Sequence, residues 1–82
     1  MEEIHVFAIN DEAQSIVYTI QNPLLPIIDT NTRTGQITGN TEIVLNGNAV
    51  NYEEIRNIIA SPRAIVRIEE NGEIINRIEI TI

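Results

Sequence analysis

Short apolar runs separated by polar, turn-forming stretches make up most of this chain, the pattern of β-strands joined by hairpins. Residues 4–9 are β-branched and apolar although they alternate poorly, and residues 15–21 set Ile16, Tyr18 and Ile20 against Val17, Thr19 and Gln21. The polar residues 10–14 between them predict a first β-hairpin. In residues 22–28, Pro23 and Pro26 remove ladder donors, so an extended edge or crossover segment is expected there. Residues 29–40 are the most polar part of the chain and hold Gly35 and Gly39, which predicts a long loop or ragged hairpin tip with the highest mobility. A short strand over residues 42–45, a tight turn at Asn46, Gly47 and Asn48, and a return strand starting at Ala49 and Val50 follow.

The clearest helical signal comes next. Asn51 suits an N-cap, Glu54 three positions on completes a capping box, and Tyr52, Ile55, Ile58 and Ile59 share one helical face. An α-helix over residues 52–60 is expected, stopped by Ser61 and Pro62. Glu53 and Glu54 suit the positive end of its dipole and need no catalytic role.

The last hairpin admits two registers. A two-residue loop at Asn71 and Gly72 sets Val66 against Arg77 and Ala64 against Glu79. A three-residue loop, Glu70-Asn71-Gly72, pairs Ile68 with Ile74, Val66 with Asn76 and Ala64 with Ile78. The second is favoured because it collects Ala64, Val66, Ile68, Ile74, Ile78 and Ile80 on one apolar face. Arg67, Glu69, Glu73, Arg77 and Glu79 then lie opposite, with Ile65 and Ile75 among them. Alternation continues through Ile80, Thr81 and Ile82, so this end of the chain is expected to be tied into a sheet. The fold class that results is α+β: one domain over residues 1–82, a small antiparallel sheet of five or six strands with one helix packed on a face.

Composition sharpens this picture. Eighty-two residues without cysteine form a small core that no disulfide or thiolate metal site can staple, which leaves oligomerisation. Isoleucine occurs 18 times and lysine not at all; the only basic side chains besides His5 are Arg33, Arg56, Arg63, Arg67 and Arg77. Lysine is the common guard of an exposed strand edge, so isoleucine-rich edges without it point to burial against further copies, a homodimer or higher oligomer. Twelve acidic residues bring the net charge to -7, which disfavours nucleic acid and anionic membranes as partners. With no basic leader and no apolar run of membrane-spanning length, the chain reads as soluble and intracellular.

Chemistry-bearing motifs are sparse. The one histidine, His5, falls in a predicted strand as a solvent-side or interface residue, and neither Ser15 nor Ser61 has a nucleophile setting. A phosphate-binding loop of the lysine type is ruled out without lysine. Counted from Asp29 as a calcium loop, the sixth residue is Thr34 and the twelfth Asn40, where a glycine and a glutamate are required. An enzyme is therefore not expected, and neither is a metal or cofactor. Of the three aromatic residues, Tyr18 and Tyr52 sit where core packing wants them, which counts against base-stacking or sugar-binding surfaces.

The reading that results is a small acidic interaction or assembly protein acting through its surface as a homo-oligomer. Its expected setting is that of a short motif-free chain, a viral accessory or structural component, in the cytoplasm or a virus particle. Two alternatives stand beside it. One is sequestration of a small anionic, nucleotide-like ligand by Arg33, Arg56 and Arg63 converging at a subunit interface. The other is inhibition of a host protein. Mimicry of nucleic acid is weakened by arginines interleaved among the acids.

Overall fold

The computed structural model describes residues 1–21 and 32–82. The expected crossover at residues 22–28, and Asp29 and Asn31 of the calcium test, lie outside the described residues. Within them the order is β1 (Glu2–Asn10), β2 (Ser15–Ile20), β3 (Arg33–Leu45), β4 (Asn48–Ala49), α1 (Tyr52–Ile55), β5 (Ile65–Asn71) and β6 (Ile74–Thr81).

The first hairpin forms as its pattern predicts. β1 and β2 pair antiparallel from Ile4 with Ile20 to Asn10 with Ser15. One extra residue, Phe7, bulges between the pairs Val6 with Tyr18 and Ala8 with Val17, which is why residues 4–9 alternate poorly. The Asn46-Gly47 turn also forms: both residues take positive φ, +49° and +86°, as a tight two-residue hairpin requires, and Leu45 pairs with Asn48.

The α+β expectation is overturned. The strands follow the order β2-β1-β5-β6-β3, and β2 also pairs with β3, so the sheet closes into a five-stranded barrel with β4 attached outside, on β3. β1, β2 and β3 are consecutive and β5 returns beside β1, a Greek-key order. Every pairing is antiparallel except that of β3 with β6. Closure depends on β3, whose 13 residues include most of the expected loop. Its start lies against β2, from Arg33 beside Tyr18 to Gln36 beside Ser15, and its later part runs along β6 to Leu45 beside Ile80.

The helix is correspondingly short. Asn51 and Glu54 make the capping box, with Asn51 Oδ1 accepting from the Glu54 N–H at 3.2 Å and Glu54 Oε2 accepting from the Asn51 N–H at 2.9 Å. α1 nevertheless ends after four residues and turns fill positions 56–60. In a closed barrel the inner faces of the strands cover one another, so the helix has no inner sheet face to lie across. Instead, Ile55 and Ile59 enter the barrel's own core, both fully buried, with Tyr52 and Ile58 packed against it. They do so at the end where β2 begins and β5 begins.

The final hairpin takes neither expected register. Asn71 pairs with Ile74 and Glu70 with Ile75 around a turn at Gly72 and Glu73, and then β6 bulges before Arg77 meets Glu69 and Ile78 meets Ile68. The bulge carries Ile75 and Ile78 to the same side. Ile75 is therefore fully buried and Ile74 exposed, the reverse of the expected faces, while Val66, Ile68, Ile78 and Ile80 are buried and Ile65 is exposed as expected. The expected tie at this end of the chain is present: Ile65 pairs with Thr81, and the Ile82 N–H donates to Asn46 Oδ1 at 3.0 Å.

Candidate functional site

Strand register decides where the three candidate arginines stand. Arg33 begins β3 beside Tyr18, at the end of the barrel where β1 starts. Its Nη1 lies 3.0 Å from Glu70 Oε1, and the other oxygen of that carboxylate accepts the Tyr18 hydroxyl. Burial first, then the hydrogen bond to Glu70, hold the Tyr18 phenol above its ordinary ionisation range. Arg56 follows α1 at the other end. Its Nη1 is 4.0 Å from Asp11 Oδ2, and Asp11 Oδ1 accepts the Tyr52 hydroxyl at 2.7 Å. Burial and that hydrogen bond push the Tyr52 phenol up to about 12. Arg63 lies two residues before β5, its backbone N–H donating to Ser61 Oγ at 3.3 Å.

Within one chain, then, Arg56 and Arg63 share an end and Arg33 occupies the other. Tyr18 is a core residue, as its place in the pattern predicts, and Tyr52 is half-buried. Among the described residues, no group of three or more histidine and carboxylate side chains could hold a metal ion. Ser15 is buried in β2, away from the exposed His5 in sequence and paired through Asn10 and Gln36.

No protein-family model, curated protein or solved structure matches the chain.

The fold also leaves large apolar side chains exposed on β1 and at the start of β5. Ile4 and Val6 point into the barrel, so His5 and Phe7 point out, and their rings meet edge to face with centroids 4.7 Å apart. Phe7 is 54% exposed and Ile65, at the start of β5, is 48% exposed. A groove of about 270 Å³ is lined by His5, Ile65, Pro62 and Ser61 among others. The hydrophobic pattern alone does not mark Phe7. Its signal was the outward phase of the run Ile4, Val6, blurred by the bulge that follows at Phe7 itself. A second groove, about 290 Å³, lies between β3 and the start of α1, lined by Thr38, Thr41, Asn51 and Tyr52. Those side chains are already engaged: Thr41 Oγ1 donates to the Ile75 carbonyl at 2.6 Å, and Asn51 caps α1. Among the described residues, no helix is long and apolar enough to cross a membrane.

Proposed function

We propose that this chain is a non-enzymatic interaction or assembly module that acts through its outer surface as a homo-oligomer. One observation carries the reading: Phe7 on β1 and Ile65 at the start of β5 each stand about half exposed, in a chain with no lysine to guard its strand edges. A small cysteine-free core gains stability from covering such a surface with another subunit. The setting that fits is the cytoplasm or a virus particle, where a short chain without catalytic motifs serves as an accessory or structural component.

Sequestration of an anion by Arg33, Arg56 and Arg63 receives less support. Two of these guanidinium groups already face a carboxylate of their own chain, and Arg33 stands at the opposite end of the barrel from the other two. Native mass spectrometry together with light scattering across micromolar concentrations tests the reading. A dimer or higher species is expected. A monomer throughout the range overturns it, and a retained small anion would move the arginine reading ahead.

A further inference from the structure

Two asparagines stand immediately before glycine, Asn46 before Gly47 and Asn71 before Gly72, and each pair sits at a hairpin turn. A carboxamide followed by a glycine amide is a reactive pair, because no side chain hinders approach of the glycine nitrogen to the asparagine Cγ. The fold treats the two pairs differently. At the first, the Ile82 N–H donates to Asn46 Oδ1 at 3.0 Å and the Asn46 N–H donates to the Ile80 carbonyl at 2.9 Å, so side chain and backbone are both tied to the end of the chain. Asn46 is also fixed at φ +49° inside its two-residue loop. At the second, Asn71 is exposed at the extended end of β5, and no hydrogen bond among the described residues holds its carboxamide. Gly72 follows at φ +63° in open space, where a Cβ would meet nothing within 4 Å. Neither glycine N–H donates to a backbone carbonyl among the described residues. The attacking nitrogen is therefore available at both turns, and the freedom of the carboxamide decides between them.

We propose that Asn71 is a self-modification site, at which the folded chain deamidates with water as the only co-reactant while Asn46 is protected. The Gly72 nitrogen attacks Asn71 Cγ as it gives up its proton. The bond from Cγ to the side-chain nitrogen breaks, ammonia leaves carrying that proton, and a five-membered succinimide closes. Water then opens the ring at one of its two carbonyls. Cleavage at Cγ leaves an ordinary aspartate, whereas cleavage at the main-chain carbonyl leaves an isoaspartyl link with one extra carbon in the backbone; nothing is oxidised or reduced. Either product adds a carboxylate that is ionised at neutral pH, taking the net charge from -7 to -8. The new charge arises beside Glu70, the carboxylate that accepts the Tyr18 hydroxyl and faces Arg33. The isoaspartyl form lengthens the main chain at the pair of Asn71 with Ile74, next to the pair of Glu70 with the buried Ile75. The change is irreversible and falls where the turn meets the core.

The test follows the full chain over time in neutral and mildly alkaline buffer, with peptide mass spectrometry reading the gain of one mass unit at each asparagine. Methyl transfer by an isoaspartyl methyltransferase counts the isoaspartyl fraction. In the folded chain, position 71 is expected to convert at least about tenfold faster than position 46, the ratio that corresponds to one hydrogen bond of about 1.4 kcal/mol broken on the way to the transition state. Conversion should quicken as pH rises, because the attacking amide must lose its proton. Asn71→Gln should remove the acidic species seen on isoelectric focusing, and Asn46→Gln should leave it. In urea, where the bond from Ile82 is gone, the two positions should convert at similar rates. Equal conversion of both in the folded chain overturns the proposal, and so does a folded chain that stays intact at position 71 while the unfolded chain converts at both. A preference for position 71 that persists undiminished in urea also overturns it, since neighbouring residues and not the fold would then set the order. These comparisons use the wild-type chain and stand even if a variant fails to fold.

Discussion

Gly35 lies where the barrel has no room for a side chain. A Cβ there would come 2.5 Å from Ile75 Cδ1 and 3.0 Å from Tyr18 Cε1, so the ring of Tyr18 and the tip of Ile75 occupy the space a larger residue would take. Gly35→Ala is expected to destabilise the fold by about 1–3 kcal/mol through overpacking, read as a lower urea midpoint; an unchanged midpoint would mean that Ile75 swings aside without cost. The two tyrosines give the barrel a defined alkaline limit. An unfolded tyrosine ionises near its ordinary value of 10.0, whereas Tyr52 in the folded chain is pushed up to about 12 and Tyr18 higher still. The folded state therefore holds these protons more tightly, and their contribution is fully present below pH 10 and drains as pH rises toward 12 and beyond. Tyrosinate absorbance should show neither residue ionised at pH 10 in the folded protein. Tyr52→Phe should remove the earlier of the two transitions, and a full tyrosinate signal at pH 10 without unfolding would contradict both bonded phenols.

Among the elements, α1 shows how far local signals reach. Its cap was legible because a capping box is written in two residues, Asn51 and Glu54, and needs no tertiary partner. Asn51→Ala should cost about 1 kcal/mol, seen as a drop of a few degrees in Tm. No change would show that burial of Ile55 and Ile59 alone holds the turn. The helix length was not legible, because Ile58 and Ile59 continue the helical face while a barrel end accepts them equally well from successive turns. β3 was hidden for a different reason. Of the inward positions in its first half, Gly35 and Ile37, one is a glycine, so the period-two hydrophobic signal all but vanishes and residues 33–40 read as loop. The final hairpin misled through its bulge, since one extra residue in β6 reverses the faces of Ile74 and Ile75, and nothing in Ile-Ile-Asn distinguishes the two phases. Of the candidate arginines, the sequence exposed their scarcity but not their separation, which follows from the register of β3 against β2.

At the scale of the whole molecule, charge and shape act against each other. Two copies at -7 repel over distances that salt screens, whereas the apolar contacts proposed to join them are not weakened by salt. Self-association should therefore strengthen as ionic strength rises, whereas capture of a basic protein by the acidic surface would weaken. Sedimentation equilibrium at low and high salt measures the sign directly, and weakening of the self-association would count against the homo-oligomer reading. Closure also has a temporal side, set by the parallel pairing of β3 with β6. β6 stands between β5 and β3 in the ring, so the first three long strands and β5 can form hairpins or lie ready but cannot become a barrel without it. On the ribosome, the nascent chain must expose isoleucine-rich, partly paired strands until the segment from Ile74 to Thr81 has emerged. Barrel closure thus waits for β6, limited by a non-local contact and slow by the standards of small domains.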